Sequence, residues 1–287
     1  MARPLRMKGF AMYTRARSRL AYPSISFATL FLVFVVSLIA AGQRGGGQRG
    51  RGQAAENAEP SPPHDPHDLS GIWVRRGGFL GLSNDPPPFT SEGKKRFDAN
   101  KPSYGPRAIA PALGNDPMGN CDPLGIPRLL LLENNPGDFE LIQIPGRVLQ
   151  LFDRHHVHRE IWSDGRELPK DADPRMLGYS IGHWEGDVFV VQSNTFDDRT
   201  WLDHFGYPHS DEMTLEERYH RLNRDNMQVV ITLTDPRIYT KPWVSETKNL
   251  RLSRLKEFAE ELFCIPSQEQ EFNRRVRDPA AGVFRKG

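Results

Sequence analysis

Runs of alternating apolar and polar residues fill the second half of the chain, and this pattern predicts β-strands. The runs cover 139–144, 147–152, 156–162, 178–184, 188–191, 213–222 and 227–233. Three pairs of runs are each joined by a turn sequence rich in Gly, Pro, Asn or Asp, at 145–146, 185–187 and 223–226. A strand, a short turn of this kind and a second strand predict a β-hairpin, so we expect three hairpins.

The run at 213–222 leaves an alternative open, because both of its faces are polar. On a strand, one face carries Glu217, Tyr219 and Arg221, and the other carries Glu216, Arg218 and His220. One of these sets must then point into the protein, where it needs a polar ligand or internal ion pairs. A helix over 214–221 is the alternative, since Glu and Arg are good helix formers.

Two further segments have distinct patterns. Residues 76–120 are rich in Pro and Gly, which predicts a long ordered loop that wraps the sheet. Near the C terminus, apolar positions recur at helical spacing, with Ser253 as a possible cap and Pro266 beyond the end near Cys264. These positions are Leu255, Phe258, Ala259, Leu262 and Phe263.

The first 42 residues have the pattern of an export signal. A basic leader without acidic residues precedes an uncharged, mostly apolar run at 25–41, and small residues follow at 40–42. This predicts a signal peptide over 1–42. The run is also close to the length that spans a bilayer, so an uncleaved N-terminal membrane anchor is the alternative. In both cases the remainder is periplasmic or secreted, and it meets the membrane only through this segment if the segment stays attached.

Composition distinguishes a linker from the folded part of the chain. Residues 43–67 are mostly Gly, Gln, Arg, Ala, Glu and Pro, which predicts a disordered linker, and 68–287 has the size of one domain. The chain has a formal net charge of +2, but residues 1–55 hold nine Lys or Arg and no acid, and 56–67 hold three acids. The remainder therefore carries −4, which argues against nucleic acid as a partner.

Cysteine usage agrees with export. Cys121 and Cys264 are the only cysteines of the chain. In an oxidising compartment two such cysteines form a disulfide bond, and two separate buried thiols are the alternative.

The sequence thus predicts a mainly β fold, and a resemblance refines it. Leu69-Ser70-Gly71-Ile72-Trp73 has the Gly-x-Trp of the first strand of lipocalins, so the chain resembles lipocalin-like (calycin-like) β-barrels. This implies an antiparallel barrel with one C-terminal helix and a long Pro/Gly-rich N-terminal loop. The domain also resembles a group of bacterial secreted proteins of unassigned activity. The matching strings lie at 101–107, 121–128, 145–152, 159–166, 184–191, 196–203, 207–210 and 235–243.

A first patch of candidate chemistry lies at 154–160. On a strand, His156 and His158 share a face with Arg154 and Glu160. Two imidazoles beside a carboxylate can bind zinc or shuttle a proton. The two arginines of this patch would repel a metal ion, so we expect no metal there and favour a solvated strand face.

A second patch, 196–212, is dense in carboxylates, imidazoles and aromatic rings. Asp198 or Asp203 can orient His204 or His209 for general acid–base catalysis. Trp201 and Tyr207 can stack on a ligand. The alternative is an Asx-rich turn.

Four more residues are candidate ligand contacts. Lys241 and Trp243 are placed to line the barrel mouth, and Tyr219 and Arg221 to line a cavity. The chain has no Gly-rich phosphate loop, CxxC or HExxH motif, so no cofactor is expected.

Three functions follow from these observations, and the last of them is a structural or interaction protein of the cell envelope, which a barrel filled by its own side chains would favour. The first is an exported barrel that binds a small, partly apolar molecule. The alternative is a cofactor-independent lyase, isomerase or hydrolase with His156, His209, Asp198 and Asp203 at the barrel mouth.

Overall fold

The computed structural model describes residues 62–131, 139–153, 156–255, 257 and 264–283. All of them belong to one compact unit, Glu59–Gly287. The expected signal or anchor segment, and the 43–61 part of the linker, lie outside the described residues. So does most of the helix expected over 253–264.

The described residues contain ten strands, and the three expected hairpins are confirmed as β2–β3, β5–β6 and β7–β8. The strands are β1 (Gly71–Arg75), β2 (Phe139–Ile144), β3 (Arg147–Phe152), β4 (His158–Trp162), β5 (Tyr179–Glu185), β6 (Val188–Asn194), β7 (Thr214–Asn223), β8 (Asn226–Thr234), β9 (Trp243–Val244) and β10 (Lys248–Leu252).

The sheet closes into a barrel of nine strands. Each strand from β1 to β8 pairs with the next, and β10 pairs with both β8 and β1, while β9 continues along β8. The expectation of a purely antiparallel barrel needs a correction, because β4 and β5 are parallel. Their connection, 163–178, is long enough to run from the end of β4 back to the start of β5, which parallel pairing requires.

The two ends of the barrel differ, as the strand directions require. The tight turns after β2, β5 and β7 share one end, here called the turn end. The long connections after β1, β3, β6 and β8 share the opposite end, the loop end. At the turn end, the backbone N–H of Leu69 and the carbonyl of His67 bond the Gln143 amide, at 2.5 and 2.9 Å.

Side chains of the barrel itself fill its interior. Burial alternates along β7, so the strand reading of 214–221 is confirmed and the helix reading is wrong. Glu217, Tyr219 and Arg221 are the buried set, and the opposite set faces outward. Large apolar side chains, each at most 2% exposed, pack around them: Trp73, Phe139, Phe152, Phe189, Met227 and Ile231.

Helical segments lie outside the barrel wall. The long loop after β1 contains α1 (Ser91–Ala99), capped by the Thr90 hydroxyl, and the 3₁₀ turns Pro111–Leu113, Pro117–Asn120 and Arg128–Leu130. The C-terminal helix comprises α2 (Pro266–Phe272), a π-helical turn (Asn273–Arg277) and α3 (Asp278–Ala280). Among the described residues, none of the helices is long and apolar enough to cross a membrane.

The expected disulfide is confirmed. Cys121 and Cys264 are bonded, with Cα atoms 5.4 Å apart and a sequence separation of 143. The bond attaches the C-terminal helix to the long loop, where the Asn273 amide donates to the carbonyl of Gly119 at 3.4 Å. A C-terminal helix is thus confirmed, but it is the one at 266–280, and proline occupies its first turn, where no backbone N–H is needed.

Candidate functional site: a closed polar core and a cleft in the barrel wall

A polar network occupies the middle of the barrel, centred on Arg159 of β4. Its Nε donates to Ser180 Oγ at 2.8 Å, and Nη2 donates to Ser193 Oγ at 2.7 Å. The remaining bonds go to Gln150 Oε1 at 3.2 Å and to both carboxylate oxygens of Glu217, at 2.7 and 3.1 Å. All five N–H donors of the guanidinium are therefore used.

The charges of this network balance inside the protein. Burial alone would lower the pKa of Arg159, but the charge and hydrogen bonds of Glu217 raise it above its ordinary value. Tyr219 donates its hydroxyl to Glu217 Oε2 at 2.6 Å. Burial, together with that carboxylate, holds the pKa of Tyr219 well above its ordinary value. The polar inner face of β7 is thus satisfied by an internal ion pair and needs no polar ligand.

Two of the other residues that were expected to contact a ligand, Arg221 and Trp243, are hydrogen-bonded to protein groups. Arg221 donates to the carbonyls of Asp68 and Arg224. The Trp243 indole N–H donates to Ser83 Oγ at 2.8 Å.

The remaining three of these contacts lie at the loop end. The Tyr207 ring packs 4.9 Å from that of Trp243. Trp201 is 5% exposed, beneath the Arg128 guanidinium. Lys241 is exposed.

His209 is buried and fixed by two hydrogen bonds. Its Nδ1 lies 3.0 Å from the carbonyl oxygen of Ser210, which can only accept, so Nδ1 carries the proton. Nε2 then accepts from the Thr200 hydroxyl at 2.6 Å. Burial lowers the pKa of His209, which keeps the ring neutral. Its neighbour Ser210 is bonded through N and Oγ to Asp235.

The expected carboxylates are also engaged. Asp198 pairs with Arg96 at 2.9 Å, and Asp203 accepts from the backbone N–H of Phe205 at 2.9 Å. Of the four residues with an expected catalytic role, His156 lines the cleft described next. The catalytic role of the four stays a prediction.

That cleft lies beside the parallel strand pair. β4 and β5 pair only at Ile161–Ser180 and Trp162–Ile181, and the connection 163–178, here called the arch, passes over the wall beyond these pairs. The cleft beneath the arch, the arch cleft, has a volume of about 820 Å³. Its lining includes Val157, His156, His158, Glu160, Trp162, Leu168, Pro169, Met176, Leu177, Tyr179 and Ile181.

Stacking contacts hold the arch at both ends. The Arg166 guanidinium lies 3.6 Å from the ring centre of Trp162, and the Arg175 guanidinium lies 4.1 Å from that of Tyr179. Cations placed over aromatic faces in this way are attracted by the ring quadrupole. Met176 and Leu177 add apolar side chains to the same lining. The arch cleft therefore combines aromatic and aliphatic surface with cationic edges.

The sequence pattern predicted some of the residues that line the arch cleft. His158 and Glu160 point outward from one face of β4, as expected, and both line the cleft. His156 precedes the strand, in the left-handed region with φ of 48°. Arg159 and Arg175 were missed. Alternation with Ile161 along β4 is the signal that could have placed Arg159 inside the barrel. Arg175 lies in an irregular connection, where no pattern indicates a cleft.

A second buried cation was also missed. Lys248 of β10 is 3% exposed, and its Nζ donates to the carbonyls of Phe79 and Gly81, at 3.1 and 2.7 Å. Burial lowers its pKa to about 8. Alternation with Leu250 along 248–252 is the signal that could have placed it inside the barrel.

Comparison with known proteins adds no relative. No family model, curated protein or solved structure matches this chain. What is shown is a closed mixed β-barrel with a C-terminal helix and a disulfide, and the function has to be argued from the site.

Proposed function

We propose that this protein is an exported β-barrel that binds one small, partly apolar molecule in the arch cleft. One observation carries the proposal: the barrel interior is filled and its ion pair is satisfied, whereas the wall opens into a cleft of about 820 Å³. Clefts of this volume, lined by aromatic and aliphatic groups with a few polar groups, are typical ligand sites.

Export is the second part of the proposal. The leader pattern at 1–42 supports it, and the Cys121–Cys264 bond agrees with an oxidising compartment. Fractionation of cells that express the full chain tests it. We expect a periplasmic or secreted product that is two hydrogens lighter than the reduced chain. A reduced product confined to the cytoplasm would contradict export.

We also propose that this protein is related to lipocalin-like barrels. The Gly-x-Trp of 71–73 opens β1, and hairpins follow it around a closed barrel. The parallel β4–β5 pair departs from an up-and-down barrel, and it is this departure that creates the arch. We therefore place the ligand in the wall, outside the barrel interior.

A neutral fluorescent probe tests binding. N-phenyl-1-naphthylamine is apolar and brightens on leaving water, and we expect its titration to saturate at one site per chain. Met176→Trp should weaken this binding at least tenfold, because the larger ring occupies part of the cleft and blocks the apolar lining. Leu222→Trp is the matched control, since Leu222 is 44% exposed and lies outside the cleft. Equal binding by both variants, with native far-UV circular dichroism, would refute the arch cleft as the site.

A further inference from the structure

The arginines that line the arch cleft differ in what they bind. Arg159 has no free donor, as described above. Arg166 is held by Asp164, with Nε to Oδ1 at 2.9 Å and Nη2 to Oδ2 at 2.6 Å. Arg175 is exposed, and its guanidinium forms no ion pair with any residue that the structure describes. It is therefore the cation of this cleft that still lacks a counter-charge.

The backbone fixes the position of Arg175. Its N–H donates to the carbonyl of Thr195 at 3.1 Å, and its own carbonyl accepts from Gly178 and Asp197, each at 3.0 Å. The Tyr179 ring then supports the guanidinium at 4.1 Å. An arginine whose backbone is fixed and whose guanidinium stacks on one ring loses little conformational freedom when it binds an anion.

The carboxylates of the cleft do not neutralise it. Glu160 is paired with Arg147 at 2.5 Å, on the outer face of the wall. Glu167 is exposed and forms no ion pair with a described residue. The guanidinium presents a planar fork of donors, which suits a carboxylate or sulfonate.

We propose that the ligand is an amphipathic organic acid. Its acidic group bonds the Arg175 guanidinium, and its apolar body lies on Trp162 and Tyr179, beneath Met176 and Leu177. This inference rests on the proposed function, since it assigns the chemical class of the ligand to the same cleft.

Two related probes measure the contribution of the acidic group to affinity separately from that of the apolar body. 8-Anilino-1-naphthalenesulfonate has the same rings as N-phenyl-1-naphthylamine and adds one sulfonate. We expect the wild-type chain to bind the sulfonate more tightly than the neutral probe. Arg175→Gln should weaken sulfonate binding about tenfold and change binding of the neutral probe by less than twofold. Arg175→Lys, which keeps the charge, should recover part of the loss.

Arg251→Gln is the charge control, because it removes one exposed guanidinium outside the cleft. It should leave both affinities within twofold of wild type. If Arg175→Gln and Arg251→Gln weaken binding of the sulfonate equally, net charge explains the effect and the assignment fails. If the wild-type chain binds the neutral probe at least as tightly as the sulfonate, the acid proposal fails while the cleft stands. If neither probe binds, the proposed function fails first.

Discussion

At the scale of single residues, the buried pair Arg159–Glu217 and the buried Lys248 are stabilised in different ways. Arg159 and Glu217 satisfy each other, so neither needs solvent or a ligand. Replacing one partner of such a pair leaves an uncompensated buried charge, which costs far more than the intact pair contributes. Lys248 is different, because backbone carbonyls are its hydrogen-bond acceptors.

Lys248 makes the stability of the protein depend on pH. Its pKa is about 8 in the folded chain and 10.5 ordinarily, so between these values the unfolded chain binds more protons. Stability contributed at this site therefore rises with pH from about 8 to 10.5 and is constant below 8. Relative to Lys248→Met, the wild-type chain should gain about 2 kcal/mol between pH 7 and pH 9.5.

Denaturant titration of both chains at the two pH values measures this gain. The tyrosines whose pKa burial raises titrate in both chains and cancel in the difference. Glu246 and Arg75 are the charged groups that act on Lys248, the first raising its pKa and the second lowering it. Parallel stability curves for the two chains would show that Lys248 keeps its ordinary pKa.

At the scale of elements, α1 is seated on the loop end through a glycine. A Cβ built on Gly93 would lie 2.2 Å from the carbonyl oxygen of Ile238, which belongs to the backbone and cannot turn aside. Thr90 strengthens the same contact, because its N–H and its hydroxyl donate to the carbonyls of Ile238 and Arg237.

Gly93→Ala should therefore destabilise the protein by about 1–3 kcal/mol, although alanine is the better helix former. Lys95→Ala, on the exposed side of the same helix, is the control and should change stability by less than about 0.5 kcal/mol. Thermal unfolding monitored by circular dichroism compares the two. A more stable Gly93→Ala chain would mean that the helix is not held against Ile238.

The strands also show how much of the fold sequence patterns can predict. Alternation predicted the hairpins, since each pairs residues that are close in the chain. The parallel β4–β5 pair was not predicted, because its register depends on contacts across the 163–178 connection. The arch cleft was not predicted for the same reason. Met176 and Leu177 show no periodic pattern, and only the fold brings them into one cleft with Trp162 and Tyr179. His158 and Glu160 were found because their spacing is local.

At the scale of the whole molecule, the disulfide joins the two segments that flank most of the barrel. Closing a loop of 143 residues lowers the entropy of the unfolded chain, which stabilises the fold by about 5 kcal/mol on the chain-entropy estimate. On the C-terminal helix, Phe272 and Val276 are 48% and 50% exposed, whereas Asp278 is buried.

A chain with both Cys121→Ser and Cys264→Ser should thus lose up to about 5 kcal/mol of unfolding free energy. Urea titration measures the loss, and the reduced wild-type chain should match the double variant. A loss below about 1 kcal/mol in both would show that the bond connects parts that are already held together in the unfolded chain.

The disulfide has one more consequence, for damage to the chain. Strands β2 to β10 lie between Cys121 and Cys264, so nine of the ten strands belong to a covalent ring, and only β1 lies outside it. A protease that cuts any single peptide bond inside this ring opens it without releasing a fragment. The nicked protein remains one covalent molecule, heavier by one water, until a reductant breaks the disulfide.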